Sequence, residues 1–200
     1  RTLFPYTTLF RSYRKIQNMA VMALPDGSPL SIVSRRRGFK EAERVTGPDL
    51  MGEIFKISEK RGYKHYFYGS TQEILDELKI KLSLKYPKLN IVGMYSPPFR
   101  ELDVAEDNEV IKNINESNAD FVWVGLGAPK QEIWMNKHRN KVGSIMIGVG
   151  AGFDYYAGRI KRAPILMQRL SLEWLFRLIQ DPKRLFKRYF NTNIKFIYSM

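Results

Sequence analysis

The chain has 200 residues, 44% of them apolar, enough for one core or for one core with an appendage. Its formal net charge of +13 calls for an anionic partner: nucleic acid, an anionic membrane surface or a phosphate-bearing substrate. Cysteine is absent, which excludes disulfides, thiolate zinc sites and a cysteine nucleophile. No run of the sequence offers the roughly 20 consecutive apolar residues that cross a bilayer.

Residues 1–12, "RTLFPYTTLFRS", lack an initiator Met, a sustained apolar stretch and a small-residue cleavage site. They read as a non-native leader, outside the fold. "LPDGSP" (24–29) puts Asp26 in a turn. Most Asp-Gly pairs are only turns. A carboxylate there becomes a general base toward a hydroxyl if the turn lies at a ligand-binding edge. Residues 49–61 have mostly helical apolar spacing. "HYFYG" (65–69) is a short strand, with Ser70 as the expected N-cap of a helix over 71–85. A strand follows at 90–95, a proline loop at 96–100 and a helix at 106–117. "DFVWVGLG" (120–127) is a buried strand, 130–139 a helix and "SIMIGVG" (144–150) another buried strand. Strands alternating with helices predict a parallel α/β sheet with helices on both faces.

Two strand ends are rich in glycine: Gly125 and Gly127, then Gly148 and Gly150. In open parallel sheets ligands bind beyond the carboxyl ends of the strands. Glycine lets a ligand come close to the main chain, and a following helix offers N–H groups to an anion. Lys130 and Gln131 stand at such a helix start, and Asp154 follows the second loop. Tight turns beneath a packed sheet explain the glycines equally well. Neither loop completes G-x-G-x-x-G, because the sixth position is Lys130, Phe153 or Tyr155.

From residue 159 to 200 there are ten Lys/Arg against two acids, a net +8 of the total +13. Two helices are expected there, 164–180 and 182–198, the second amphipathic, with its aromatic and aliphatic residues on one side and its cations largely elsewhere. Arg159 and Arg162 suit bidentate bonds to phosphate oxygens, or simply a basic surface loop. His65 and His138 are isolated and read as structural or exposed. No metal-ligand spacing is present. The runner-up to nucleotide-sugar chemistry is a basic nucleic-acid-binding module.

Eight segments in order, "LPDG" (24–27), "RVTGPDLM" (44–51), "FYGS" (67–70), "YSPPFR" (95–100), "VGLGAPKQEIWM" (124–135), "GVGAGFDYYAG" (148–158), "RAPILMQRLSLEWLFRL" (162–178) and "DPKRLFKRY" (181–189), resemble the WecG/TagA/CpsF glycosyltransferases, glycosyltransferase family 26. The resemblance implies a Rossmann-like core over 13–158 and a basic helical, membrane-associating appendage over 159–200. It implies inverting, metal- and cofactor-independent transfer of an N-acetylmannosamine-like sugar. The donor would be a UDP-sugar and the acceptor an undecaprenyl-diphosphate-linked sugar, in exopolysaccharide or cell-wall teichoic acid synthesis. The implied setting is the inner face of the bacterial plasma membrane, with an anionic lipid surface as partner, no nucleic acid, and room for a homo-oligomer. Asp26 is the implied base and Gln131 a donor contact; Arg177, Arg184 and Arg188 are the implied diphosphate contacts. The resemblance also implies a first strand and helix with a Thr/Asn motif ahead of residue 20. That region is replaced or absent here, so the N-terminus reads as truncated.

Overall fold

The computed structural model describes residues 13–169, 172–180 and 182. Its backbone divides into two units after Ile160. In the first unit, helix α1 (13–19) and helix α2 (Ser28–Arg36) precede α3 (Gly47–Arg61), β1 (Lys64–Gly69) and α4 (Gln72–Lys85). Then come β2 (Asn90–Tyr95), α5 (Val104–Glu116), β3 (Phe121–Gly125), α6 (Lys130–His138), β4 (Ile145–Gly148) and the short α7 (Gly152–Tyr156).

The four strands form one parallel sheet in the order β2-β1-β3-β4. All carboxyl ends therefore share one edge. Side chains alternate across the pleat, as a period of two requires. Phe67 and Trp123 join Met51, Phe55, Leu75, Leu78 and Phe153 on the face covered by α3, α4 and α7. Tyr66, Tyr68, Val122 and Val124 join Val110, Ile111, Ile114 and Trp134 on the face covered by α5 and α6. The expected α/β sheet with helices on both faces is present.

β1 leads into α4 on one face and β3 into α6 on the other. The strand order reverses between β1 and β3, which makes their junction the topological switch point of the sheet. There Gly69 (φ 121°) lies against the Gly125 backbone, where a Cβ would come within 2.7 Å of the Gly125 carbonyl carbon.

Two local expectations change, and one helix, α2, stands where none was expected. The N-cap of α4 is Thr71, whose side chain accepts from the Ile74 N–H at 3.4 Å. Ser70 instead takes a left-handed conformation (φ 63°) and donates its N–H to the Gly125 carbonyl at 3.2 Å. Helix α2 follows the Pro-Asp-Gly turn directly, with Gly27 as its N-cap. The helix expected over 164–180 is two pieces in the second unit, α8 (Ile165–Arg169) and α9 (Glu173–Gln180). The Leu172 N–H turns back to the Met167 carbonyl at 2.8 Å, while its own carbonyl accepts from Phe176 and so starts α9. The helix expected over 182–198 lies outside the described residues save for residue 182.

Candidate active site

The carboxyl edge of the sheet collects the four candidate glycines with Lys130 and Gln131. The glycines there are of two kinds. Gly125 and Gly148 have no room for a side chain: a Cβ would meet the Phe153 ring at 2.7 Å or the Gln131 and Met135 side chains at 2.9 Å. Gly127 (φ 75°) and Gly150 (φ 53°) instead face open space, with no described atom within 4 Å of an added Cβ. Their positive φ favours glycine, and their open side is where a ligand can approach the main chain.

Gln131 ties the two loops together. Its own N–H donates to the Gly127 carbonyl at 3.0 Å. Its side-chain oxygen accepts from the Gly150 N–H at 3.0 Å, and its amide nitrogen donates to Glu132 Oε1 at 2.9 Å. Gln131 is buried. The bonding capacity expected to face a ligand is thus partly used within the edge: the Gly150 and Gln131 N–H groups both have protein partners. Lys130, one residue earlier, is exposed.

Asp26 is linked toward this edge by the segment just before α3. Thr46 caps α3, accepting from the Asp49 N–H at 3.3 Å. Gly47 is pressed so close to the second loop that a Cβ would lie 2.8 Å from the Val149 carbonyl oxygen. Just before it, the Val45 N–H donates to the Pro25 carbonyl at 3.1 Å and Arg44 Nε to the Asp26 carbonyl at 2.9 Å. The Pro-Asp-Gly turn is thereby fastened to the segment that leads into Gly47 and the second loop, with Asp26 exposed. Arg44 and Gly47 were not singled out in the sequence, although both stand in the "RVTGPDLM" segment.

Asp154 lies in α7 and its carbonyl accepts from the Arg159 N–H at 2.9 Å. The Arg159 guanidinium is engaged by carboxylates of α4: Nε to Glu77 at 2.7 Å, Nη2 to Glu77 at 2.9 Å and to Glu73 at 2.6 Å. These partners, Glu77 first, raise its pKa above the ordinary arginine value. Arg159 therefore knits α4 to the loop after α7 rather than presenting an open fork to phosphate. A cavity of about 330 Å³ beside it is lined by Glu77, Ile80, Lys81, Ala157, Gly158 and Arg159, and contains none of the site glycines.

Arg162 is exposed in the second unit, and Arg177 lies on α9. Arg184 and Arg188 lie outside the described residues. Both histidines are fully buried. His65 accepts from Trp123 Nε1 at 3.0 Å, and His138 Nε2 faces Asp107 at 3.1 Å. Among the described residues no group of three His, Asp or Glu is disposed to hold a metal ion, and no helix is long and apolar enough to cross a membrane.

A Rossmann-like α/β core with two open glycine positions at the carboxyl edge of its sheet presents the kind of edge at which open α/β sheets bind ligands. The chain belongs to the glycosyl transferase WecG/TagA/CpsF family, whose profile matches residues 7–200. It is similar to the proteins of Staphylococcus aureus strains MW2, NCTC 8325 / PS 47 and MRSA252 named N-acetylglucosaminyldiphosphoundecaprenol N-acetyl-beta-D-mannosaminyltransferase. Each is 33% identical over 181 residues, which cover 90% of this chain and 69% of the relative.

Proposed function

We propose that this glycosyltransferase moves an N-acetylmannosamine-like sugar from a UDP-sugar to an undecaprenyl-diphosphate-linked sugar, with inversion. The product would feed bacterial surface polysaccharide, of the exopolysaccharide or teichoic acid kind, at the inner face of the plasma membrane. The observation that supports the reading is that the Pro-Asp-Gly turn is bonded to Arg44 and Val45, just ahead of Gly47, which packs on Val149 next to the open Gly150.

In this mechanism the donor lies along the open side of the two loops. The acceptor hydroxyl oxygen bonds to the anomeric carbon as the bond from that carbon to the β-phosphate oxygen breaks. Asp26 takes the hydroxyl proton and UDP leaves. A single displacement of this kind inverts the centre. Lys130, and in the appendage Arg162, Arg177, Arg184 and Arg188, supply positive charge for the leaving UDP or the lipid diphosphate. Electrostatic donors of this kind are worth roughly 3–4 kcal/mol each in a preorganised site. Arg159 is assigned a structural part, since Glu73 and Glu77 hold its guanidinium.

The test is UDP release from a panel of UDP-sugars, with and without a lipid-diphosphate-linked N-acetylglucosamine in detergent. Release that needs the acceptor and one donor is expected. Donor hydrolysis without any acceptor dependence would refute the transfer.

A further inference from the structure

Glu132 is the third residue of α6 and only 8% exposed. One carboxylate oxygen, Oε1, accepts from Gln131 Nε2 at 2.9 Å. The other, Oε2, is buried and has no hydrogen-bond partner among the described residues. Buried polar atoms are almost always paired, so a carboxylate oxygen with no partner in the described chain leaves an acceptor for a water or for a ligand's donor. The position supports this. Glu132 holds Gln131, and Gln131 holds Gly150 through its side chain and Gly127 through its N–H. Both of those glycines face open space. Tyr13 of α1 is a neighbour, its phenol pushed up by burial and then by the Glu132 charge. The Tyr13 oxygen accepts from Gln17 Nε2 at 3.0 Å.

We propose that Glu132 Oε2 accepts a hydrogen bond from a sugar hydroxyl of the bound donor nucleotide, and so helps to select it. The proposal rests on the donor reading above. A carboxylate repels the diphosphate, so the group it receives must be a hydrogen-bond donor. A nucleotide sugar carries such hydroxyls on its ribose and on its transferred sugar. Glu132 also fixes which way the Gln131 amide points: with its nitrogen turned to Oε1, its oxygen is left for the Gly150 N–H.

The experiment is titration calorimetry of UDP and UDP-N-acetylmannosamine with the native chain and with Glu132→Gln. The new amide keeps an oxygen for Gln131 and places a nitrogen, which donates rather than accepts, at the former Oε2. Affinity for the UDP-sugar should fall at least tenfold, with the thermal midpoint and near-UV circular dichroism unchanged. If UDP weakens equally, the hydroxyl is on the ribose; if only the UDP-sugar weakens, it is on the transferred sugar. Unchanged affinity for both overturns the proposal. A second measurement needs no variant. Among donor analogues each lacking one hydroxyl, one should bind the native chain at least tenfold more weakly, and equal binding of all of them overturns the proposal. If the native chain binds neither UDP nor any UDP-sugar, the donor reading falls and this proposal with it.

Discussion

Asp26→Asn keeps the size of the side chain and removes the charge that would take the acceptor proton. General-base catalysis contributes about 10²–10⁴-fold, so turnover measured by UDP release should fall by that order. Asp26 is exposed, so the thermal midpoint should stay where it is. Retained turnover would remove Asp26 from the mechanism. The glycines divide in the same manner. Gly125→Ala drives a methyl group to 2.7 Å from the Phe153 ring and should cost about 1–3 kcal/mol in denaturant titration. Gly127→Ala meets nothing, and costs only about 1–2 kcal/mol for its left-handed backbone while narrowing the open side of the loop. It should therefore weaken UDP binding in calorimetry more than Gly125→Ala does. The glycines are visible in the sequence, but their two kinds are not. What stands behind a Cα depends on Phe153, Gln131 and Met135 folding back from other elements. The orphaned Glu132 oxygen was hidden for the same reason: sequence shows a carboxylate, never its unmet bonds.

At the scale of elements, the core from α3 onward was legible because parallel strands read as apolar runs, three of the four ending in glycine. β1 to β4 and their helices appear within a few residues of expectation. α2 was missed because its nine residues include two arginines and few apolar positions, although Pro29 near its start is a helix signal. The break at Leu172 was missed because periodicity continues across it. Within this core, His65 lies in an aromatic layer: stacked on Phe121 and Trp123, with Phe55 edge-on. Burial disfavours its charged form and pulls its pKa from 6.5 down to about 4. Between those values the unfolded chain binds a proton that the folded chain refuses. Stability is therefore full above pH 6.5, and declines as pH falls toward 4. The loss should reach about 2–3 kcal/mol near pH 4.5, at 1.36 kcal/mol per pKa unit. Urea titrations at pH 7 and 4.5 should show that difference in the native chain and a smaller one in His65→Gln, which cannot titrate. An equal loss in both would assign the acid sensitivity elsewhere. α6 offers a separate test. Gln131→Ala leaves the Gly150 N–H without its partner, a loss of about 1–3 kcal/mol, and frees the two loops from each other. UDP affinity should fall with stability, because the clip holds the open edge in shape.

At the scale of the whole chain the charge is the dominant fact, and it is uneven. The last nineteen residues hold five Lys/Arg and no acid, interleaved with aromatic and aliphatic residues. Charge alone suits nucleic acid as well as lipid; the amphipathic helix expected there from the sequence would favour an interface with one apolar and one polar side. Near an anionic leaflet each Lys or Arg contributes about 1 kcal/mol, so five of them amount to a gain of roughly a thousandfold or more. The full chain should float with vesicles containing anionic phospholipid, float less as salt is raised, and fail to float with zwitterionic vesicles. Removing residues 182–200 should abolish flotation. Since the open glycines and Asp26 all lie before Ile160, UDP binding then stays in place if Arg184 and Arg188 serve the lipid diphosphate, and weakens if they serve UDP. If the shortened chain floats as well as the full one, the membrane contact lies elsewhere. If the full chain ignores lipid but binds DNA or RNA with a steep salt dependence, the basic segment serves nucleic acid instead.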